Sequence, residues 1–170
     1  MKTINIELLA LDLDKCGRCG GTLVNLEEAL AIATPALDAL GISTEVSKNV
    51  VKTLEEAEKL RFMSSPTIRI DGADVMSTTP ETSCDACSDL CGCEGGVDCR
   101  VWPWRGRTHE AAPVGLLVEV ILRAAVNPSR AAATPAWQEV PENLKRFFEG
   151  KNAAGANEKQ TCGGAACSRS

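Results

Sequence analysis

Nine cysteines in 170 residues constrain this chain more than any other feature, because they fall into three groups with tight spacing inside each. Cys16 and Cys19 form a C-x-x-C. Cys84, Cys87, Cys91, Cys93 and Cys99 crowd into one stretch, and Cys162 and Cys167 lie near the end. The opening "MKTINIELLALDLD" carries one Lys and turns acidic too soon for a secretory leader, and no run approaches the roughly 18 apolar residues of a membrane helix. These features predict a cytoplasmic protein without membrane contact. In a reducing compartment, clustered cysteines point to metal binding or redox chemistry before structural disulfides, and the odd count agrees. A net charge of −5 with 4% aromatics and no Tyr leaves no basic, stacking surface for nucleic acid.

Hydrophobic periodicity supplies the frame. Residues 3–13 read as a strand, and Leu26, Ala29, Leu30, Ala33, Leu37 and Leu40 follow at helical spacing, with Pro35 as a kink and Gly41 as a stop. Ile42, Thr44 and Val46 alternate as a short strand. "TLEE" from Thr53 to Glu56 is a capping box, and "TIRIDGADV" reads as a strand, an Asp71-Gly72 hairpin turn and a return strand. Residues 77–100 show no periodicity. Arg100 to Trp104 suggests a further strand, and Pro113 opens a helix with Val114, Leu117, Val118, Ile121, Leu122 and Ala125 on one face. The order predicts an α/β fold, a mixed sheet flanked by helices. Residues 127–170 read as a linker, a short helix around Val140 to Phe148 and a flexible, cysteine-bearing tail.

A C-x-x-C ending the first strand and "SPT" opening a later one together resemble the thioredoxin-like superfamily over residues 1–126, apart from the insertion at 77–100. Pro66 in "Pro66-Thr67-Ile68" resembles the family's cis-proline, and "IDG" resembles the hairpin of its glutaredoxin branch. With "CGRCGG", "CDACSDLCGCEGGVDC" and "CRVW", the chain also resembles an uncharacterised bacterial group of cysteine-rich thioredoxin-like proteins. The superfamily resemblance implies a helix starting at the C-x-x-C, whereas Gly20-Gly21 leave the start open between Cys16 and Thr22.

Two chemistries then compete for Cys16 and Cys19. As a thiol–disulfide oxidoreductase, Cys16 would attack and Cys19 resolve. Lys15, Arg18 and backbone N–H groups would favour the thiolate, Asp12 or Asp14 would relay a proton, and Pro66 would leave the Ser65 backbone open to an extended substrate. The partners would be protein or small-molecule thiols and disulfides. The other reading makes "CGRCGG" one limb of a metal site. The insertion carries the stronger metal signal: four of Cys84, Cys87, Cys91, Cys93 and Cys99, with Cys91-Gly92-Cys93 among them, can close an all-thiolate zinc site. Cys99 could instead face Cys16 and Cys19. The alternative function is a binder, carrier or detoxification protein for thiophilic ions such as mercury, arsenite or copper(I), acting also on metal–thiol or organometal substrates. Cys162 and Cys167 are candidates for a thiol relay. His109 reads as a surface residue, and Trp102 and Trp104 as a cover over the core.

Overall fold

The computed structural model describes residues 2–127 and 135–161. It is a mixed α/β structure. β1 (Lys2–Ala10) feeds α1 (Gly17–Ala39), which returns to β2 (Ile42–Val50). Then come α2 (Leu54–Lys59), β3 (Thr67–Ile70) and β4 (Ala73–Asp74). The sheet order is β2-β1-β3-β4, with β1 parallel to β2 and the other pairs antiparallel. Nine residue pairs, from Lys2↔Ile42 to Ala10↔Val50, hold β1 to β2. β2 therefore runs past Val46, where the alternation of the sequence stops. As an edge strand it needs no apolar side chains at Ser47, Lys48 and Asn49.

Helix α1 begins at Gly17 with Cys16 as its N-cap, not at Thr22. Gly20 is required by close packing, since a Cβ there would lie 2.9 Å from the Leu13 carbonyl oxygen. Pro35 lies inside the helix. One limb of the capping box forms as read, the Thr53 hydroxyl accepting from Glu56 N, while the Glu56 carboxylate reaches one residue further back and accepts from Lys52 N.

The segment 77–100 is not the structureless loop that its composition suggests. β5 (Glu81–Ser83) and β6 (Asp98–Arg100) pair antiparallel around the short helix α3 (Asp85–Cys91), making a β–α–β finger. A hairpin of β7 (Trp102–Trp104) and β8 (Arg107–His109) follows, then α4 (Val114–Val126) and α5 (Glu142–Thr161). α5 is also longer than the short patch expected and reaches into the sequence taken for tail, where Ala, Glu, Lys and Gln favour helix.

Two apolar clusters flank the sheet. Ile4, Ile6 and Leu8 face α1 and α4 together with Trp102, Leu117 and Ile121. Leu9, Leu11, Ala57 and Phe62 face the other cluster, where Leu144, Phe147 and Phe148 of α5 pack with the finger. Finger and sheet are joined by a buried ion pair. Arg100 Nη1 and Nη2 donate to Asp74 Oδ1 and Oδ2 at 2.9 and 2.8 Å. Among the described residues no helix is long and apolar enough to cross a membrane.

Candidate functional site

Two helix starts, that of α1 and that of the finger's own α3, converge where the finger meets α1. Cys16 is the N-cap of α1 and Cys84 the N-cap of α3, neither making a side-chain cap hydrogen bond. Each begins a C-x-x-C, with Cys19 and Cys87 three positions further on. An N-cap residue points its side chain at the free N–H groups of the first turn, where negative charge is stabilised. The loop before α1 is preset by Asp12, whose Oδ1 accepts from the N–H groups of Asp14, Lys15 and Cys16.

The Sγ atoms of Cys16, Cys84, Cys87 and Cys99 all lie within 4.8 Å of one another, and all four residues are buried. Cys16 and Cys84 Sγ are 3.9 Å apart and Cys99 and Cys87 Sγ 3.3 Å. A tetrahedral thiolate site with metal–sulfur bonds of about 2.3 Å needs sulfur–sulfur edges of about 3.8 Å. The group brackets that value with small adjustments. Its sulfur-only donor set suits soft ions and offers nothing to magnesium or calcium.

Arg18 holds the two limbs in register. Its guanidinium donates to the carbonyls of Thr82 (3.0 Å), Ser83 (2.7 Å) and Cys99 (3.2 Å), and pairs with Glu110 at 3.1 Å. One side chain on the first turn of α1 thus fixes both strands of the finger. The sequence reading placed Arg18 as a charge beside Cys16 and did not anticipate this clamp.

Cys19 stands behind the four-sulfur group. Its Sγ lies 3.3 Å from Ser65 Oγ, which accepts from Leu11 N at 3.0 Å. The Ser65–Pro66 peptide is cis. The Ser65 backbone is not open as expected, however, because its carbonyl accepts from Arg100 N at 2.7 Å. The chain's own β6 occupies that place. Asp14 is exposed, while Asp12 makes the loop contacts.

Protons within the group are contested. The Cys16 thiol is held well below its usual range by hydrogen bonding from Cys19 first and then from Cys84, Cys87 and Cys99. Cys84 comes down to about 7: Cys16 opposes its ionisation, and hydrogen bonds from Cys87 and Cys99 outweigh that. Cys19, Cys87 and Cys99 are all pushed up, chiefly by Cys16. Without a cation, the Cys16 thiolate favours the protonated form of Cys19, Cys87 and Cys99. A divalent ion would take over the role of the shared protons.

Of the five insertion cysteines, the structure brings Cys84, Cys87 and Cys99 together and adds Cys16. Cys91 and Cys93 are not in that group; they are joined to each other as a disulfide. Cys162 and Cys167 lie outside the described residues. His109 sits at the end of β8 across from Trp102 and is not a member of the four-sulfur group, and Trp102 is fully buried in the core cluster beside α1 and α4.

No curated protein and no solved structure matches the chain. One family model does match, over residues 3–121, a span that holds all four clustered cysteines, Cys19, Arg18 and Pro66. The chain belongs to that family, described as a domain of unknown function, DUF2703.

Proposed function

We propose that this protein binds one thiophilic metal ion of the zinc class through Cys16, Cys84, Cys87 and Cys99 on a thioredoxin-like fold. The observation that carries this reading is the mutual approach of four buried Sγ atoms within 4.8 Å. Four thiolates would satisfy a tetrahedral ion and leave a net negative charge of two, which the N-termini of α1 and α3 would offset. Apolar neighbours such as Phe147, Leu144 and Val97 exclude water, so an ion once held there would exchange slowly. The same chemistry admits heavier thiophilic ions, mercury or arsenite among them, and a binding or detoxifying role follows more directly than a catalytic one.

A second reading, thiol–disulfide exchange at Cys16 and Cys19, is favoured by the cis Ser65–Pro66 peptide beside Cys19 and by the helix start at Cys16. Against it stand the burial of both sulfurs and the occupation of the Ser65 carbonyl by β6. Cys16 cannot serve as ligand and nucleophile at once.

Anaerobically purified full-length protein tests both. Elemental analysis should find about one ion per chain, and cobalt(II) substitution should give intense thiolate-to-metal charge-transfer bands with tetrahedral ligand-field bands. Cys84→Ser and Cys99→Ser should lose the bands. Metal-free protein that cycles a Cys16–Cys19 disulfide would favour the second reading instead.

A further inference from the structure

The disulfide between Cys91 and Cys93 takes no part in the four-sulfur group, and its surroundings suit both of its redox states. Cys91 ends α3, and Gly92, in the left-handed region at φ 60°, turns the chain so that Cys93 comes back beside it. Cys91 Sγ lies 3.4 Å from the Ser88 carbonyl oxygen, and Cys93 Sγ lies 3.4 Å from that of Arg146. A disulfide sulfur has no hydrogen to give to either oxygen, but a thiol has. Each sulfur therefore already faces an acceptor for the proton it would gain on reduction. The two residues also differ in access: Cys91 is buried and Cys93 is partly exposed.

Helix α5 covers the pair. A Cβ at Gly150 would fall 2.7 Å from Cys93 Sγ and 2.8 Å from the Cys91 carbonyl oxygen, so α5 crosses here only because residue 150 has no side chain. The crossing is tied down just past the disulfide. Arg146 Nη1 donates to Gly96 O, and the Asn143 side chain bonds both the N–H and the carbonyl of Asp98.

We propose that Cys91–Cys93 is a second redox centre, a C-x-C dithiol that exchanges electrons with external dithiols and disulfides through Cys93. In the reductive direction, an external dithiol attacks Cys93 Sγ as its thiolate. The Cys91–Cys93 bond breaks, and Cys91 leaves as a thiolate that takes a proton and donates to Ser88 O. The second thiol of the reductant attacks the mixed disulfide, forms the external disulfide and releases Cys93, which takes the other proton and donates to Arg146 O. Two electrons and two protons pass to the protein, and one dithiol becomes one disulfide. This centre does not rest on metal binding at the four-sulfur group.

The test uses full-length protein equilibrated with buffers of reduced and oxidised dithiothreitol, followed by differential alkylation, mass spectrometry of the peptide carrying 91–93, and elemental analysis. The expected result is one reversible two-electron transition on that peptide, with metal content unchanged across it. Cys91→Ser, which leaves Cys93 free, should form a mixed disulfide with an aromatic disulfide probe at least about tenfold faster than Cys93→Ser, which leaves the buried sulfur. Three outcomes overturn the proposal: a pair that stays in one state across the whole series, metal that leaves in step with the transition, or equal probe rates in the two variants. Absence of metal throughout, with the transition intact, would overturn the metal reading and leave this one standing.

Discussion

The backbone N–H of Arg100 donates to the carbonyl of Ser65, the residue before the cis-proline, across 2.7 Å. The cysteine finger is thereby laid along the segment that flanks Cys19. Four sulfurs from two distant parts of the chain meet because this contact, the Arg18 clamp and the Arg100–Asp74 pair hold the finger to three neighbouring places, the segment before β3, the first turn of α1 and β4.

Asp74→Ala should be severely destabilising. It strands a fully buried guanidinium, and breaking one side of such a pair costs about 3–5 kcal/mol. Urea unfolding of the metal-loaded protein measures it. A loss below about 1 kcal/mol would mean that the pair does not anchor the finger.

Arg18→Met keeps much of the side-chain volume and removes the donors to Thr82, Ser83 and Cys99. Hydrogen bonds to a charged group contribute about 1.5–3 kcal/mol each, so losing even one net bond should weaken metal retention at least about tenfold. Competition against a chromophoric chelator reads this directly. Unchanged affinity would show that α1 and the finger keep register without the clamp.

Glu81 gives a signed pH dependence. Burial first, then Asp98, pushes its carboxyl above the ordinary range, against hydrogen bonding from Ser64 and Asn143 and the charge of Arg100. The folded state then holds more protons than the unfolded one. Its contribution to stability is complete below the ordinary glutamate pKa and falls as pH rises through the raised value. The stability difference between Glu81→Gln and the parent should therefore move in favour of Gln from the ordinary glutamate range upward. A difference flat from pH 4 to 7 would contradict the shift.

Gly150→Ala should destabilise the protein, although Ala is the better helix former by about 1 kcal/mol. The added Cβ meets Cys93 Sγ and the Cys91 carbonyl, and crowding of this kind costs about 1–3 kcal/mol. Amide exchange in α5 should quicken in the variant. A more stable variant would mean that α5 does not cross at that distance.

Removing a bound ion should loosen the finger before the sheet. The buried side chains supplied by the finger itself are chiefly cysteines, so the ion takes the place of a local core and its loss should cost that unit several kcal/mol, because metal binding at small thiolate sites is folding free energy. Hydrogen exchange on chelated protein should rise across 81–100 while β1 and β3 stay protected. Uniform exchange throughout would argue against a separable unit.

The sheet was legible because Ile4, Ile6 and Leu8 alternate, the Asp71-Gly72 turn is explicit, and α4 carries a clean apolar face. The finger was hidden by the residue that builds it. Cys84, Cys87 and Cys91 stand at positions 0, 3 and 7, a helical stripe, but thiols counted as ligands drop out of a hydrophobic pattern even though a buried free Cys packs as a small apolar residue. That Cys16 could join the insertion in one metal site was open to a reading of the spacing; which insertion cysteines it meets was not. Their identity depends on how β6 docks beside Ser65, and spacing along the chain carries no trace of that contact. The repeated C-x-x-C at 16–19 and 84–87 was the one available signal.

Three of the four clustered sulfurs come from a single stretch of the finger, whereas Cys16 lies 68 positions from Cys84. On the proposed reading, the trio is a local chelate that can seize an ion while the fourth position is still open, and docking onto α1 is the latch that completes the coordination. Loading and hand-off would then share one intermediate, a three-coordinate ion on an undocked finger. How long an ion stays would be governed by the fit between two pieces of protein more than by the strength of any metal–sulfur bond.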